Sequence, residues 1–312
     1  MRSLLSRNKN SIFWATLIIA TLPITLRSVV DCDIWWHMTA GRDFLLNGGV
    51  DASRFYNTPV TGHLSNLRFT LLGDIILYLV YLIGDVRGLQ ILRVFLVSLS
   101  CWFVFQCGDK KPTLFKWAIL SLMIIGTYQL QIVRNSIISL VLVPVVMYLY
   151  DKPRKWLLVP IIGLWGCAHG SYLLGFGMLC LMSLTNLKEW RSYAIIIAAS
   201  FILISIYNPL TKDYLSIHSV KTVINQPNLN SGILGKSPGK GKKRSIEFFS
   251  PFAVDRDYVK ASITIGILAA FLIKPVYWIP YIAIMIFGLG YLRSIGYIGL
   301  VCVPLIFRSR SC

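Results

Sequence analysis

The segment Asp31-Cys32-Asp33-Ile34-Trp35-Trp36-His37-Met38, followed by Gly41-Arg42, holds the densest set of side chains in this chain that could do chemistry. In an extended stretch Asp31 and Asp33 project to the same side. Two carboxylates so placed can hold a divalent cation, Mg or Mn, or one of them can take the proton of an attacking hydroxyl. Trp35 and Trp36 suit the boundary of a membrane, where an indole sits between headgroup and tail. The same residues also read as ordinary charges of an outer loop beside an aromatic belt, and the segment alone leaves both readings open. Asp74, Arg134, His169 and Glu247 stand out elsewhere. Each has a structural reading beside the functional one: capping or local pairing for Asp74 and His169, snorkelling at a turn for Arg134, ordering of a long loop for Glu247. His37 has a similar alternative, as an interfacial partner for Asp33.

The elements that must position these side chains are apolar. Of 312 residues, 55% are hydrophobic and 14% charged, and the mean hydropathy is +0.65. A soluble domain carries about 25% charge, so a cytosolic enzyme is excluded, as are a coiled coil, collagen and disorder. Apolar runs fall at 11–30, 67–84, 88–107, 116–133, 136–150, 156–168, 171–186, 192–207, 259–273, 276–291 and 293–307. They predict an all-α, polytopic membrane protein with about nine to eleven embedded helices. No repeat or low-complexity linker divides the chain, so residues 1–312 read as one membrane domain. Its two long polar stretches, 31–66 and 208–258, are expected on the outer face.

Lys and Arg number 31 against 13 Asp and Glu, a net charge of +18. In a soluble protein this balance would suggest nucleic acid; here it fits cationic cytosolic loops against anionic lipid, and no nucleic acid is expected. The basic start and the uninterrupted run 11–30 predict an anchor helix with a cytoplasmic N-terminus and no cleavage site. Lys110/Lys111/Lys116, Lys152/Arg154/Lys155, Lys188/Arg191 and Arg308/Arg310 are then cytosolic. Arg134-Asn135, His169-Gly170 and Asn208 are outer turns. Asp74 lies inside the run 67–84, and a carboxylate at the bilayer centre costs about 2.5–3.5 kcal/mol. A partly embedded or interfacial helix at 67–84 avoids that cost and keeps Lys110 inside; otherwise Lys110 and its neighbours face outward.

The seven cysteines, Cys32, Cys101, Cys107, Cys167, Cys180, Cys302 and Cys312, form no CxxC pair and read as small buried hydrophobes. The stretch Gly235 to Arg244 lacks the spacing of a phosphate loop; it reads as a basic loop near lipid phosphate or a polyanionic acceptor.

Taken in order, these motifs resemble those of GT-C glycosyltransferases, in the bacterial polyprenyl-phosphate-sugar branch related to protein mannosyltransferases and aminoarabinose transferases. The string from Asp31 to Arg42 resembles the family's first outer loop. Leu71-Leu72-Gly73-Asp74, with Gly84 and Gly88-Leu89, resembles its next embedded helix. Arg134-Asn135 falls at an Arg-Pro turn, and Leu164-Trp165-Gly166-Cys167-Ala168-His169-Gly170 at a tryptophan–His-Gly segment. Asn208-Pro209 and Glu247-Phe248-Phe249-Ser250-Pro251 follow in register. The likeness covers about residues 10–275. Asn135 stands where the family has proline, and Phe248 or Phe249 where it has tryptophan. Many relatives also continue further beyond the last apolar run, so acceptor recognition is expected to be minimal or supplied by a partner subunit.

The resemblance implies transfer of a sugar from a polyprenyl-phosphate carrier to a hydroxyl of a glycan, lipid or protein, outside a bacterial-type inner membrane. It places Asp31 or Asp33 at the reaction centre, as base or as ligand of a cation. Arg134, His169, Arg42 and Arg68 are candidate partners of the leaving phosphate, and His37, Asp74 and Glu247 further substrate-site residues. Two other readings remain open at this point: a catalytically silent scaffold or assembly subunit of the same fold, and a glycan polymerase or ligase. Few intramembrane charges and no inverted repeat speak against a transporter.

Overall fold

The computed structural model describes residues 11–19, 22–23, 26, 29, 33–48, 70–207, 257–290 and 294–310. Asp31, Arg68, Glu247, the Asn208-Pro209 and Ser250-Pro251 pairs and the basic stretch 235–244 lie outside them. The fold is all-α: the described residues form helices and turns, with no strand among them. The helices are α1 (11–19), α2 (Asp33–Asn47), α3 (Leu71–Gln106), α4 (Leu114–Gly126), α5 (Ser139–Leu149), α6 (Leu158–Ala168), α7 (Tyr172–Ser183), α8 (Trp190–Tyr207), α9 (Asp257–Leu272), α10 (Trp278–Gly290) and α11 (Gly296–Ser309). Among the described residues, two helical stretches are long and apolar enough to cross a membrane, Leu71–Gln106 and Leu187–Ile206.

Two sequence expectations need correction. The segment beginning at Asp33 is not extended: it is α2, with Ile34, Met38 and Gly41 buried at helical spacing. Asp33 occupies its first turn, where a carboxylate complements the helix dipole. Gly48 ends the helix at φ +69, its N–H bonding the Phe44 carbonyl at 2.9 Å.

The runs 67–84 and 88–107 are not separated by a loop. They meet in α3 at a single non-helical residue, Asp85, with φ 52° and ψ −150°. The bend is sharp. In a straight helix, residues eight apart are separated by about 12 Å. Here a Cβ on Gly88 would lie 2.7 Å from the Val80 carbonyl oxygen.

The contacts group the chain into two compact units. One holds α1, α3 from Val97 onward, α4 and α9–α11. Its centre is α11, buried from Gly296 to Arg308, against which α9, α4 and α10 pack. Thr113 caps α4 by accepting the Lys116 N–H at 3.2 Å. Asp109, between α3 and α4, accepts the Lys111 N–H at 2.5 Å and the Lys116 ammonium at 3.2 Å. The Lys111 amide first, and the Lys116 ammonium beside it, hold the Asp109 carboxyl below the usual carboxylate range.

The other unit holds α2, α3 as far as Leu96, and α5–α8. α6 packs on α8 and more lightly on α5 and α7. Trp165, Ile162, Leu179 and Ile196 fill its interior. Every described residue of the candidate site belongs to this unit.

Candidate functional site

Asp33, His37 and Gly41 are four residues apart and so share one face of α2. Gly41 sets the distance: a Cβ there would meet the Asp74 carbonyl oxygen at 2.4 Å and the Ile75 nitrogen at 2.9 Å. Only glycine lets α2 lie backbone to backbone on the first turn of α3. One turn back, His37 is thereby brought against the Asp74 side chain.

Asp74 is 0% exposed, and Gly73, Asp74 and Leu77 form the buried face at the start of α3. Its carboxylate accepts three hydrogen bonds. Oδ1 takes His37 Nδ1 at 2.7 Å and Asn135 Nδ2 at 2.5 Å; Oδ2 takes the Thr70 hydroxyl at 3.0 Å. Asn135 Nδ2 also reaches the Thr70 carbonyl at 3.2 Å. With both amide hydrogens committed to oxygens, the 3.0 Å approach of Nδ2 to His37 Nδ1 leaves no hydrogen to share. His37 must therefore carry its own hydrogen on Nδ1 and donate it to Asp74. Turning the Asn135 amide over would place its oxygen against two acceptors, so the network has one consistent assignment.

Arg134 and Asn135 divide the work of their turn. Arg134 has extended backbone, φ −156° and ψ 177°, and leads into the short helical turn Asn135–Ile138. Its guanidinium reaches Asp33 at 3.4 Å, from a side chain 6% exposed to one 63% exposed. One residue later, Asn135 turns inward to Asp74. A buried guanidinium paired with an open carboxylate can exchange that partner for another anion, and a phosphate fits the planar fork well.

His169 follows the last turn of α6, in extended conformation. Its Nδ1 accepts the Ser171 N–H at 3.2 Å and lies 2.6 Å from the Ser171 hydroxyl. That hydroxyl is 2.5 Å from the Ser139 hydroxyl, and Trp165 Nε1 donates to both, at 3.2 and 3.1 Å. With Nδ1 an acceptor, the hydrogen of the neutral ring sits on Nε2. Gly73 ties this turn to the first network, because a Cβ on it would lie 2.8 Å from the Ala168 carbonyl oxygen and 2.9 Å from Asn135 Cγ.

Asp33, His37, Asp74 and Arg134 thus come together, with His169 adjoining through Gly73. Arg42 does not join them; it is half-exposed and donates to Asp43 at 3.2 Å. Asp31 and Glu247 lie outside the described residues. Asn135, Thr70, Ser139 and Ser171 are the residues that sequence reasoning missed, and Asn135 stood in plain view as the replacement of an expected proline. The described carboxylate of the Asp31/Asp33 pair, Asp33, faces the Arg134 guanidinium, and Asp74 accepts three hydrogen bonds. No group of three or more His, Cys, Asp or Glu among the described residues could hold a metal ion.

No protein-family model, no curated protein and no solved structure matches this chain.

Proposed function

We propose that this chain is a polytopic membrane glycosyltransferase of GT-C type, taking a sugar from a polyprenyl-phosphate carrier to a hydroxyl acceptor at the extracytoplasmic face of a bacterial-type inner membrane. The observation that carries the reading is the gathering of Asp33, His37, Asp74 and Arg134 from segments up to 101 residues apart. These are the polar residues of three of the motifs on which the family resemblance rests. Arg134 and His169 are suited to the donor phosphate, and by the family resemblance Asp31 or Asp33 stands at the reaction centre.

The outward surfaces support a lipid environment. Ile83 on α3, Leu114 on α4 and Phe271 on α9 are each more than four-fifths exposed, and Ile202 and Ile206 on α8 are also open. Such side chains gain by contact with acyl chains rather than water.

The test is transfer of radiolabelled sugar from a panel of undecaprenyl-phosphate hexoses and pentoses, in membranes holding wild type, Asp31→Asn, Asp33→Asn or Arg134→Gln at matched expression. Incorporation by wild type that falls in these variants supports the reading. Absence of incorporation from every donor, or full activity in all three variants, sinks it.

A further inference from the structure

The geometry points to His37 as the proton acceptor of this site, with Asp74 and Asn135 as the residues that position it. The assignment rests on the transferase reading for the identity of the substrate, but the device is legible in the structure alone.

A base needs a lone pair aimed at an accessible place and a reason to hold the proton once it arrives. Asp33, the obvious carboxylate, pairs with Arg134 at 3.4 Å from a side chain 63% exposed, so its lone pairs are not held toward one position even when Arg134 turns to the phosphate. Asp74 is 0% exposed, with both oxygens already accepting hydrogen bonds. His37 differs from both. Its Nδ1–H is committed to Asp74, so in the neutral ring the lone pair lies on Nε2, at the opposite edge of a ring whose side chain is 21% exposed. Nε2 has no hydrogen-bond partner among the described residues and is not one of the buried atoms left unpaired.

Asn135 is the telling part. By occupying Asp74 Oδ1 and the Thr70 carbonyl it removes the rotational freedom of the carboxylate, and Thr70 holds the second oxygen. A carboxylate fixed in this way accepts from Nδ1 in only one ring orientation. An imidazolium formed by protonation at Nε2 keeps that bond and gains the full charge of Asp74 beside it. His169 is held in the opposite tautomer, Nδ1 accepting and the hydrogen of the neutral ring on Nε2. The two histidines therefore present a base and a hydrogen-bond donor.

In the transfer step, the acceptor hydroxyl oxygen forms its bond to the anomeric carbon. The bond from that carbon to the phosphate oxygen breaks, its electron pair leaving with polyprenyl phosphate. The hydroxyl proton passes to His37 Nε2, and the imidazolium releases it to water when the products leave.

The experiment pairs a spectrum with an assay. The chain has four histidines, so long-range ¹H–¹⁵N spectra of ¹⁵N-histidine-labelled protein in nanodiscs can be assigned with single His→Gln variants. The neutral His37 ring is expected as the Nδ1–H tautomer and His169 as Nε2–H. Asp74→Asn, which offers an amide N–H to Nδ1, is expected to switch His37 to Nε2–H, which reads the positioning bond itself; the imidazole rescue below reads the proton transfer that a merely structural histidine would not show. In the transfer assay, His37→Gln is expected to lower turnover by about 10²–10⁴-fold, and free imidazole to restore part of the activity of His37→Ala.

A His37 ring found as Nε2–H in wild type overturns the inference, whatever the assay gives. So does wild-type transfer matched by His37→Gln, which leaves the transferase reading standing. Absence of transfer by wild type defeats the transferase reading instead. The spectrum then still decides the positioning device: Nδ1–H with the Asp74→Asn switch supports the Asp74-held ring on which the proton acceptor depends, and its absence overturns the inference.

Discussion

Gly41 and Asp74 touch through their backbones: a Cβ on Gly41 would lie 2.4 Å from the Asp74 carbonyl oxygen. The His37–Asp74 bond depends on that approach, since it sets how far His37 stands from the carboxylate. Backbone cannot swing aside as a side chain can. Gly41→Ala is expected to cost about 1–3 kcal/mol through overpacking and to abolish transfer. Gly84→Ala, whose added Cβ meets nothing within 4 Å, is the control and leaves both unchanged or gains slightly in stability. Thermal unfolding in detergent, run beside the transfer assay, reads both.

Asn135 invites a sharper substitution. It occupies the first position of a helical turn, where proline is tolerated, and Arg134 before it is extended, as a residue preceding proline prefers. Asn135→Pro should therefore fold. It removes the Nδ2 donor from Asp74, and the loss is expected at about 1–3 kcal/mol. Asn135→Ala should match it in an unfolding titration. A proline variant much worse than the alanine one would mean that backbone strain, not the lost donor, dominates.

Asp85 holds a backbone conformation, φ 52° and ψ −150°, that glycine adopts without strain and other residues do not. Asp85→Gly is expected to hold or raise the unfolding midpoint, while Asp85→Ala lowers it by the equivalent of about 1 kcal/mol. Equal midpoints for the two variants would rule out strain at the bend.

Asp109 supplies a pH dependence of known sign. Its folded carboxyl titrates below the ordinary range, chiefly through the Lys111 amide. The stability it contributes is present above about pH 4, where the unfolded group is ionised, and is lost as pH falls through the lower folded value. The Asp109 side chain is 47% exposed, so the effect is screened and small. Unfolding midpoints measured from pH 7 down to pH 3 should fall less steeply for Asp109→Asn than for wild type.

Helix existence was legible because runs of apolar residues at spanning length leave the backbone little alternative. The apolar runs 136–150, 156–168 and 171–186 contain the helices Ser139–Leu149, Leu158–Ala168 and Tyr172–Ser183, and the run 293–307 most of Gly296–Ser309. What one residue does was harder to see. Ile34, Met38 and Gly41 already had helical spacing, yet the charges and tryptophans around them read as an outer loop, so α2 was missed. The break at Asp85 was anticipated as a boundary but not as a single strained residue. Asn135 was beyond reach: its partners Asp74 and Thr70 lie 61 and 65 residues away, and no local pattern encodes such a meeting. In sequence it registered only as the absence of a proline.

The order of the site's residues along the chain bears on how a buried carboxylate is installed at all. His37 and Thr70 precede Asp74, by 37 and 4 residues, whereas Asn135 follows it by 61. At a synthesis rate of about 5–20 residues per second, Asp74 waits roughly 3–12 s for its third donor. During that interval two donors already made are available to it, so the carboxylate need never enter the interior alone. Asn135, arriving last, is the clasp rather than the escort, and a ribosome paused before residue 135 would hold a chain with its acid already sheltered and its histidine not yet locked.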